Sequence, residues 1–371
     1  MSEPERSMGV LLVTDALEPG GLERVVVELA AGLAEAGHAV GVHAAAGGGF
    51  WDRLPETVMR HPLDGTPTAG SIRALLRSGR YAVVHAHQRR VSMLARIAAT
   101  GLGVPVVEHV HNVFRPSPIA RLLSFRAPML IACGTAVRTM LIDGFGRPAG
   151  RVRTVLNGVH DDPAGAVAPL PSASGDGTIR LVGIGRLSEQ KDPLRFVRVI
   201  GALRDVLPGP LSAVWVGSGP LLGQVIAEID RLQLHDVVAF VGHQDDVHPF
   251  LQDADALLLT SRWEGLPLVA LEALAAGRGV ILPGVGSCAD ALGDVEVGLL
   301  FEPTLSDDQL AQALAGALTP SSLARWSDAA RRRFEEHFTF DRMLEQVRGV
   351  YAEALSSSPR PARAPAARSA S

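Results

Sequence analysis

Short apolar runs alternate with amphipathic stretches along nearly the whole chain. Residues 10–13 are uniformly apolar, a Gly20-Gly21 turn follows, residues 22–36 carry helical spacing, and residues 39–43 read as a second strand. That is a β-α-β opening. Apolar runs at 82–85, 104–108, 129–133 and 152–156 alternate with further helical stretches. Strands that are apolar throughout belong in parallel sheets covered by helices on both faces. Residues 161–178 break the pattern with Pro, Gly, Ala and Ser, the composition of a linker. Alternation resumes at 179–184, 211–216, 237–241, 256–259 and 280–282, and after Phe301 only helical patterns remain, at 306–318, 321–336 and 340–355.

The pattern predicts an α/β protein of two doubly wound, Rossmann-like parallel-sheet domains. The first spans 1–160, the linker 161–178 and the second 179–338; a helix at 339–355 is able to cross back to the first domain. Residues 356–371 hold too few large apolar side chains to pack, and disorder is expected there. Ligands of such sheets bind beyond the carboxyl ends of the strands, so the site is expected in the cleft between the domains.

Composition narrows the function. A length of 371 residues suits two ordinary domains, and 47% hydrophobic residues fill two cores. The net charge of −4 argues against bulk binding to nucleic acid. Two cysteines far apart in sequence, Cys133 and Cys288, suggest neither a disulfide framework nor a cysteine zinc cluster. The first residues lack the order of a secretory signal, and no run reaches the ~18 apolar residues of a membrane span, so a cytoplasmic protein is expected.

Lys191 is the sole lysine among 35 Lys and Arg residues. It closes the segment Gly183-Ile184-Gly185-Arg186-Leu187-Ser188-Glu189-Gln190-Lys191, which leaves an apolar run. A glycine turn with Arg186 and Lys191 offers close backbone approach and two cations, the requirements of a phosphate site; a solvated basic loop is the plainer alternative. A second segment, residues 261–274, places Glu264 and Gly265 in a loop, Pro267 in the first turn of the next helix and Glu272 within that helix. Two carboxylates so placed can each hold a vicinal diol. The pairs His85-Ala86-His87 and His109-Val110-His111 stand at strand ends, where alternate residues share a face and could chelate a cation, as in a metal-dependent hydrolase. No complementary carboxylate set accompanies them.

Taken in order, Gly20-Gly21-Leu22-Glu23, Asn157-Gly158-Val159, Gly185-Arg186 with Lys191, Gly217-Ser218-Gly219-Pro220 and the Glu264-x7-Glu272 element resemble the retaining glycosyltransferases of family 4, the group 1 transferases of the GT-B fold. The likeness covers roughly residues 10–355. It implies transfer of a sugar from a nucleotide-diphosphate donor, with an acceptor-side first domain and a nucleotide-sugar-binding second domain. Arg186 and Lys191 would then bind the diphosphate and stabilise its departure. Glu264 would accept hydrogen bonds from the donor sugar and Glu272 from the ribose, with Gly265 and Leu266 amides at the sugar or β-phosphate. Gly20 and Gly21 would let the first loop approach the donor. His111 matches a position that contacts the donor sugar, and His85 and His87 fall on the acceptor side.

The resemblance also implies front-face retention without an enzyme nucleophile, and no cofactor or metal. Asp253-Ala254-Asp255 resembles the metal-binding Asp-x-Asp of the other major transferase fold, but it precedes a strand instead of ending one. Three places depart from the family pattern: Gly286-Ser287-Cys288-Ala289-Asp290, Gly134-Thr135 and Arg278-Gly279. Arg89, Arg90, Arg96, Arg115, Arg121 and Arg126 form either a patch for anionic lipid at the inner face of a membrane or a solvated helix face. The acceptor stays open between a lipid-linked glycan and a small natural product such as an aminocyclitol. A nucleotide-sugar epimerase of the same architecture and a non-catalytic sugar-nucleotide binder are the alternatives.

Overall fold

The computed structural model describes residues 7–161, 167–174 and 176–357. The chain groups into two compact units, the first made of residues 7–132, 138–155 and 344–357, the second of 133–137 and the described part of 156–343. Each is built on one wholly parallel sheet, so both were legible as α/β from their apolar runs.

Unit 1 carries seven strands, β1 (Gly9–Val13), β2 (Ala39–Ala45), β3 (Met59–Leu63), β4 (Val83–Ala86), β5 (Val106–Val110), β6 (Met129–Ala132) and β7 (Val152–Thr154), in the order β3-β2-β1-β4-β5-β6-β7. Its helices are α1 (Gly21–Glu35), α2 (Ala69–Arg77), α3 (Arg89–Ala99), α4 (Pro118–Leu123) and α5 (Thr135–Thr139), the first residues of α5 grouping with unit 2. The strand order reverses beside β1, whose neighbours are β2 and β4. That is the place where doubly wound sheets leave a crevice for ligands. Val10, Leu11, Leu12 and Val13 are fully buried, as a central strand covered on both faces requires.

Unit 2 holds β8 (Ile179–Ile184), β9 (Leu211–Val216), β10 (Val238–Phe240), β11 (Ala256–Leu258), β12 (Gly279–Pro283) and β13 (Gly298–Phe301), in the order β10-β9-β8-β11-β12-β13. The reversal lies between β8 and β11. Its helices are α6 (Pro193–Val206), α7 (Leu222–Leu232), α8 (His248–Gln252), α9 (Leu268–Ala275), α10 (Cys288–Leu292), α11 (Asp307–Ala317) and α12 (Pro320–His337). Phe196 and Trp215 meet edge to face in its core, centroids 5.1 Å apart. Trp326 lies so close to β12 that a Cβ on Gly279 would stand 2.6 Å from its ring. The last helix, α13 (Phe340–Ser357), contributes residues 344–357 to unit 1.

Several details differ from the sequence reading. β3 and β13 were not expected. Pro267 is the N-cap of α9, with Leu268 its first residue, because the extended backbone at Pro267 sits just outside the helix. Ser356 and Ser357 continue α13, whereas the rest of the expected disordered tail, 358–371, and linker residues 162–166 and 175 lie outside the described residues.

Candidate functional site

In unit 2 the chemistry collects where β8 and β11 end. Gly185 leaves β8 at φ +154°, and a Cβ there would come within 3.1 to 3.3 Å of the Cγ, Cδ and Cε of Lys191. Glycine is needed because the lysine stem folds back across this backbone. Gly217 and Gly219 serve the same turn: their missing Cβ atoms would lie 2.1 Å from the Gly185 carbonyl oxygen and 2.5 Å from that of Leu187. Asp192, at φ +44°, caps α6 by accepting the Arg195 amide at 3.3 Å and pairs with Arg262 Nε at 2.9 Å. Backbone and side chain then zip this turn to the loop after β11: the Arg262 amide donates to Gln190 O (2.8 Å), Gln190 Nε2 to Trp263 O (3.0 Å), and Thr260 Oγ1 to Asp192 O (2.9 Å).

The zipper presents Lys191 Nζ to Glu264 Oε1 at 2.6 Å, with side chains 19% and 5% exposed. In contrast Arg186, on the same turn, is exposed and its guanidinium has no hydrogen-bond or ion-pair partner among the described residues. One cation is thus held by a carboxylate and the other stands ready for a ligand. Glu264, Gly265 and Leu266 are buried in a loop fixed from two sides: Asn157 Nδ2 donates to Leu266 O (2.9 Å), and the Ser287 amide donates to Gly265 O (2.9 Å). Gly286, at φ +53°, would place a Cβ 1.8 Å from Glu264 O. No side chain caps the start of α9, and Glu272 lies partly buried on that helix.

The departures from the family pattern have structural explanations. The Asp290 carboxylate accepts the Thr135 amide at 2.6 Å and the Thr135 hydroxyl as well, so it is engaged within unit 2. A Cβ on Gly134 would strike Ser287 Oγ at 2.3 Å, which accounts for glycine beside Thr135. Buried Arg278 donates to the Leu251 and Gln252 carbonyls at 3.1 and 2.9 Å, closing the end of α8. Asp255 accepts the Arg180 and Ser172 amides at 2.7 and 2.9 Å, and Asp253 is the C-cap of α8, so this Asp-x-Asp serves the fold. Burial pushes the Cys133 thiol up to about 12 and raises Cys288 as well, so neither supplies a thiolate near neutral pH.

In unit 1, Gly20 is the extended N-cap of α1, with no side chain capping the helix. A Cβ on Gly20 would press on Glu23 Oε2 at 2.4 Å, while Gly21 begins the helix and is exposed. Burial, with Glu18 nearby, raises the Glu23 carboxyl above its ordinary range.

The end of β4 and the adjacent β5 bring His85, His87, His109 and His111 together. Successive ring centroids lie 4.2 Å (His85–His87), 5.6 Å (His87–His109) and 4.1 Å (His109–His111) apart. His85 Nδ1 meets Tyr351 Oη at 2.6 Å, and His87 Nδ1 meets His111 Nε2 at 3.1 Å. Burial drives all four imidazoles far below their usual range, His85 and His111 to about 3, with neighbouring rings adding to the effect at His85, His87 and His109. At neutral pH they are uncharged.

His87, His109 and His111 line a cavity of about 580 Å³ with Arg89, Phe114 and Glu108. Burial raises the Glu108 carboxyl to about 7, Ser92, Arg96 and Arg89 opposing the shift. His85 is fully buried behind this wall. Tyr351 was missed, being 266 residues from its partner, and His109 was read only as a member of a strand-end pair. Of the arginine group, Arg126 donates back to the Leu122 and Arg121 carbonyls and Arg89 lies over Phe114 at 4.5 Å, while Ile97, Ile119, Leu122 and Leu123 are exposed beside them. No described helix is long and apolar enough to cross a membrane.

A glycine-walled turn bearing two cations and a buried carboxylate at the carboxyl ends of a doubly wound sheet is suited to an anionic ligand, and the family models give the class of protein: a nucleotide-sugar-dependent glycosyltransferase. Glycosyltransferase Family 4 matches residues 19–163 and Glycosyl transferases group 1 matches residues 171–333. The chain belongs to the family 4, group 1 glycosyltransferases of the GT-B fold. It is 27% identical over 405 aligned positions to the D-inositol 3-phosphate glycosyltransferase of Salinispora tropica, covering 91% of this chain and 82% of that one. It is 24% identical to the Escherichia coli UDP-Gal:alpha-D-GlcNAc-diphosphoundecaprenol alpha-1,3-galactosyltransferase, with 76% and 78% covered. Among solved structures, Anabaena HepE in complex with UDP-glucose superposes with a TM-score of 0.76 at 20% identity, covering 94% of this chain and all of that one.

Proposed function

We propose that the enzyme transfers a sugar, with retention and without a metal, from a nucleoside diphosphate donor to a hydroxyl of a small cyclitol-like molecule or a lipid-linked saccharide. The observation that carries this reading is the Lys191–Glu264 pair beside the unpartnered Arg186. A diphosphate met by Arg186 and Lys191 leaves with its growing charge already matched, the form of catalysis in which preorganised charge lowers the barrier. Glu264, held by Lys191, keeps its remaining lone pairs for donor-sugar hydroxyls, and Glu272 accepts from the ribose diol. Front-face transfer, in which the leaving phosphate oxygen takes the acceptor proton, is the mechanism the family resemblance implies, with Glu264 binding sugar hydroxyls in place of attacking the anomeric carbon.

A nucleotide-sugar donor accords with the family, and the Anabaena protein of the same fold was solved with UDP-glucose. The two acceptor classes are supported by the names of the Salinispora and Escherichia relatives, which specify an inositol phosphate and a diphosphoundecaprenol substrate. In unit 1, Gly20 and Gly21 admit the donor and His111 contacts its sugar, while His85 and His87 lie on the acceptor side. The exposed apolar residues of α3 and α4 with their arginines suit peripheral contact with a lipid surface.

The test is a panel of UDP-, GDP- and ADP-sugars with an inositol phosphate and a lipid-diphosphate saccharide, run in chelator and read by product mass and anomeric configuration. A glycosylated product of retained configuration is expected. An epimerised donor without transfer, or activity that needs added manganese, overturns the reading.

A further inference from the structure

The four-histidine cluster holds more imidazole than its contacts use. His85, His87 and His109 are 0%, 2% and 1% exposed. Their nitrogens His85 Nε2, His87 Nε2 and both of His109 are buried without a hydrogen-bond partner. Burying a polar nitrogen without a partner is costly, so four of them on three adjoining rings call for an occupant that satisfies the rings together.

Geometry narrows the occupant. One ring nitrogen from each of His85, His87 and His109 lies within 4.8 Å of the others'. Bonds of about 2.0–2.1 Å to a tetrahedral ion would bring such nitrogens to about 3.3 Å, a change that modest ring rotations supply. The second nitrogens of His85 and His87 are already braced. With Nδ1–H of His85 donated to Tyr351 Oη and Nδ1–H of His87 donated to His111 Nε2, both Nε2 atoms carry free lone pairs. A partner on the far ring nitrogen is the usual support of a metal-ligating histidine. The three ligands come from β4, its end and β5, neighbours in one sheet, so rigid elements hold them.

We propose that His85, His87 and His109 form a three-imidazole site for a divalent transition-metal ion of the zinc class, carried entirely by unit 1. All-imidazole ligation favours zinc, copper or nickel over magnesium or calcium, which take oxygen. Because His87 and His109 line the 580 Å³ cavity, the fourth coordination position is open to water or to a ligand entering there. The ion has no part in the transfer step proposed above, and the inference does not rest on that step.

The experiment uses the full chain stripped with chelator and titrated with zinc and, separately, cobalt(II). Expected are one tightly bound zinc per chain by native mass spectrometry, the intense visible bands of four- or five-coordinate cobalt, and a higher melting temperature with zinc. His109→Gln should weaken affinity at least about tenfold, and Tyr351→Phe, which removes only the brace, by about tenfold. Should His109→Gln fail to fold, the cobalt spectrum and the Tyr351→Phe affinity decide. His235→Gln with His243→Gln, both exposed, should change nothing. Absence of stoichiometric metal, octahedral cobalt bands, affinity unaltered by both cluster variants, or loss of binding in the exposed pair alone overturns the proposal.

Discussion

Removing either partner of the Lys191–Glu264 pair should damage stability and turnover together, and removing both should cost less stability than the two losses added. At 2.6 Å and an effective dielectric of about 20, the gross attraction is about 6 kcal/mol, most of it offset by desolvation of two side chains only 19% and 5% exposed. Lys191→Met leaves Glu264 buried without its cation, a loss expected at about 3 kcal/mol; Glu264→Gln, which strands the more exposed lysine, should cost less. The coupling in the double variant should be about 1–3 kcal/mol. Urea unfolding followed by tryptophan fluorescence is a suitable probe, since Trp215, Trp263 and Trp326 all lie in unit 2. Each single variant should lose about 10²- to 10³-fold in kcat, and the double should be little worse than the worse single, because the groups act as a unit. Stability losses that add within about 0.5 kcal/mol, or near-normal turnover in either single variant, would refute the argument.

Two further outcomes follow. Gly185→Ala should reduce transfer and lower stability by about 1–3 kcal/mol, from strain at φ +154° and displacement of the lysine stem; unchanged kinetics and an unchanged unfolding midpoint would show that the turn tolerates a Cβ. Unit 1 should be acid-labile. Histidines whose folded pKa is depressed bind protons better when unfolded, so their contribution is present above about 6.5 and is lost as pH falls below it, down to about 3 for His85 and His111. Glu108 acts oppositely: raised to about 7, its contribution is present below about 4.5 and lost as pH rises through 7, a span worth about 3 kcal/mol. Four groups outweigh one, so an unfolding midpoint that holds steady from pH 7 to 4 would contradict the assignment.

The central strands were readable because they are apolar on both faces; the two missed strands lie at sheet edges. β3 is Met-Arg-His-Pro-Leu, none of it fully buried, with a proline that an edge tolerates. β13 is a four-residue edge strand with Leu300 exposed, too short to stand out from the loop before it. The motif residues of unit 2 were legible from local spacing and resemblance, yet the contact between Lys191 and Glu264 spans 73 residues and depends on the Gln190–Trp263 and Thr260–Asp192 zipper, which no local pattern encodes. The role of Asp290 was not legible because its engagement by Thr135 crosses 155 residues. The histidine pairs were visible as pairs; that β4 and β5 are neighbours, which makes them one cluster, is topology.

The contribution of α13 to unit 1 bears on how the protein is made. Tyr351 on His85 and Glu353 on Arg153 reach unit 1 only when the ribosome has already delivered all of unit 2. The first half of the chain therefore waits, its histidine cluster lacking its tyrosine for most of translation, and a fragment cut at residue 160 lacks both partners however long it is left to refold.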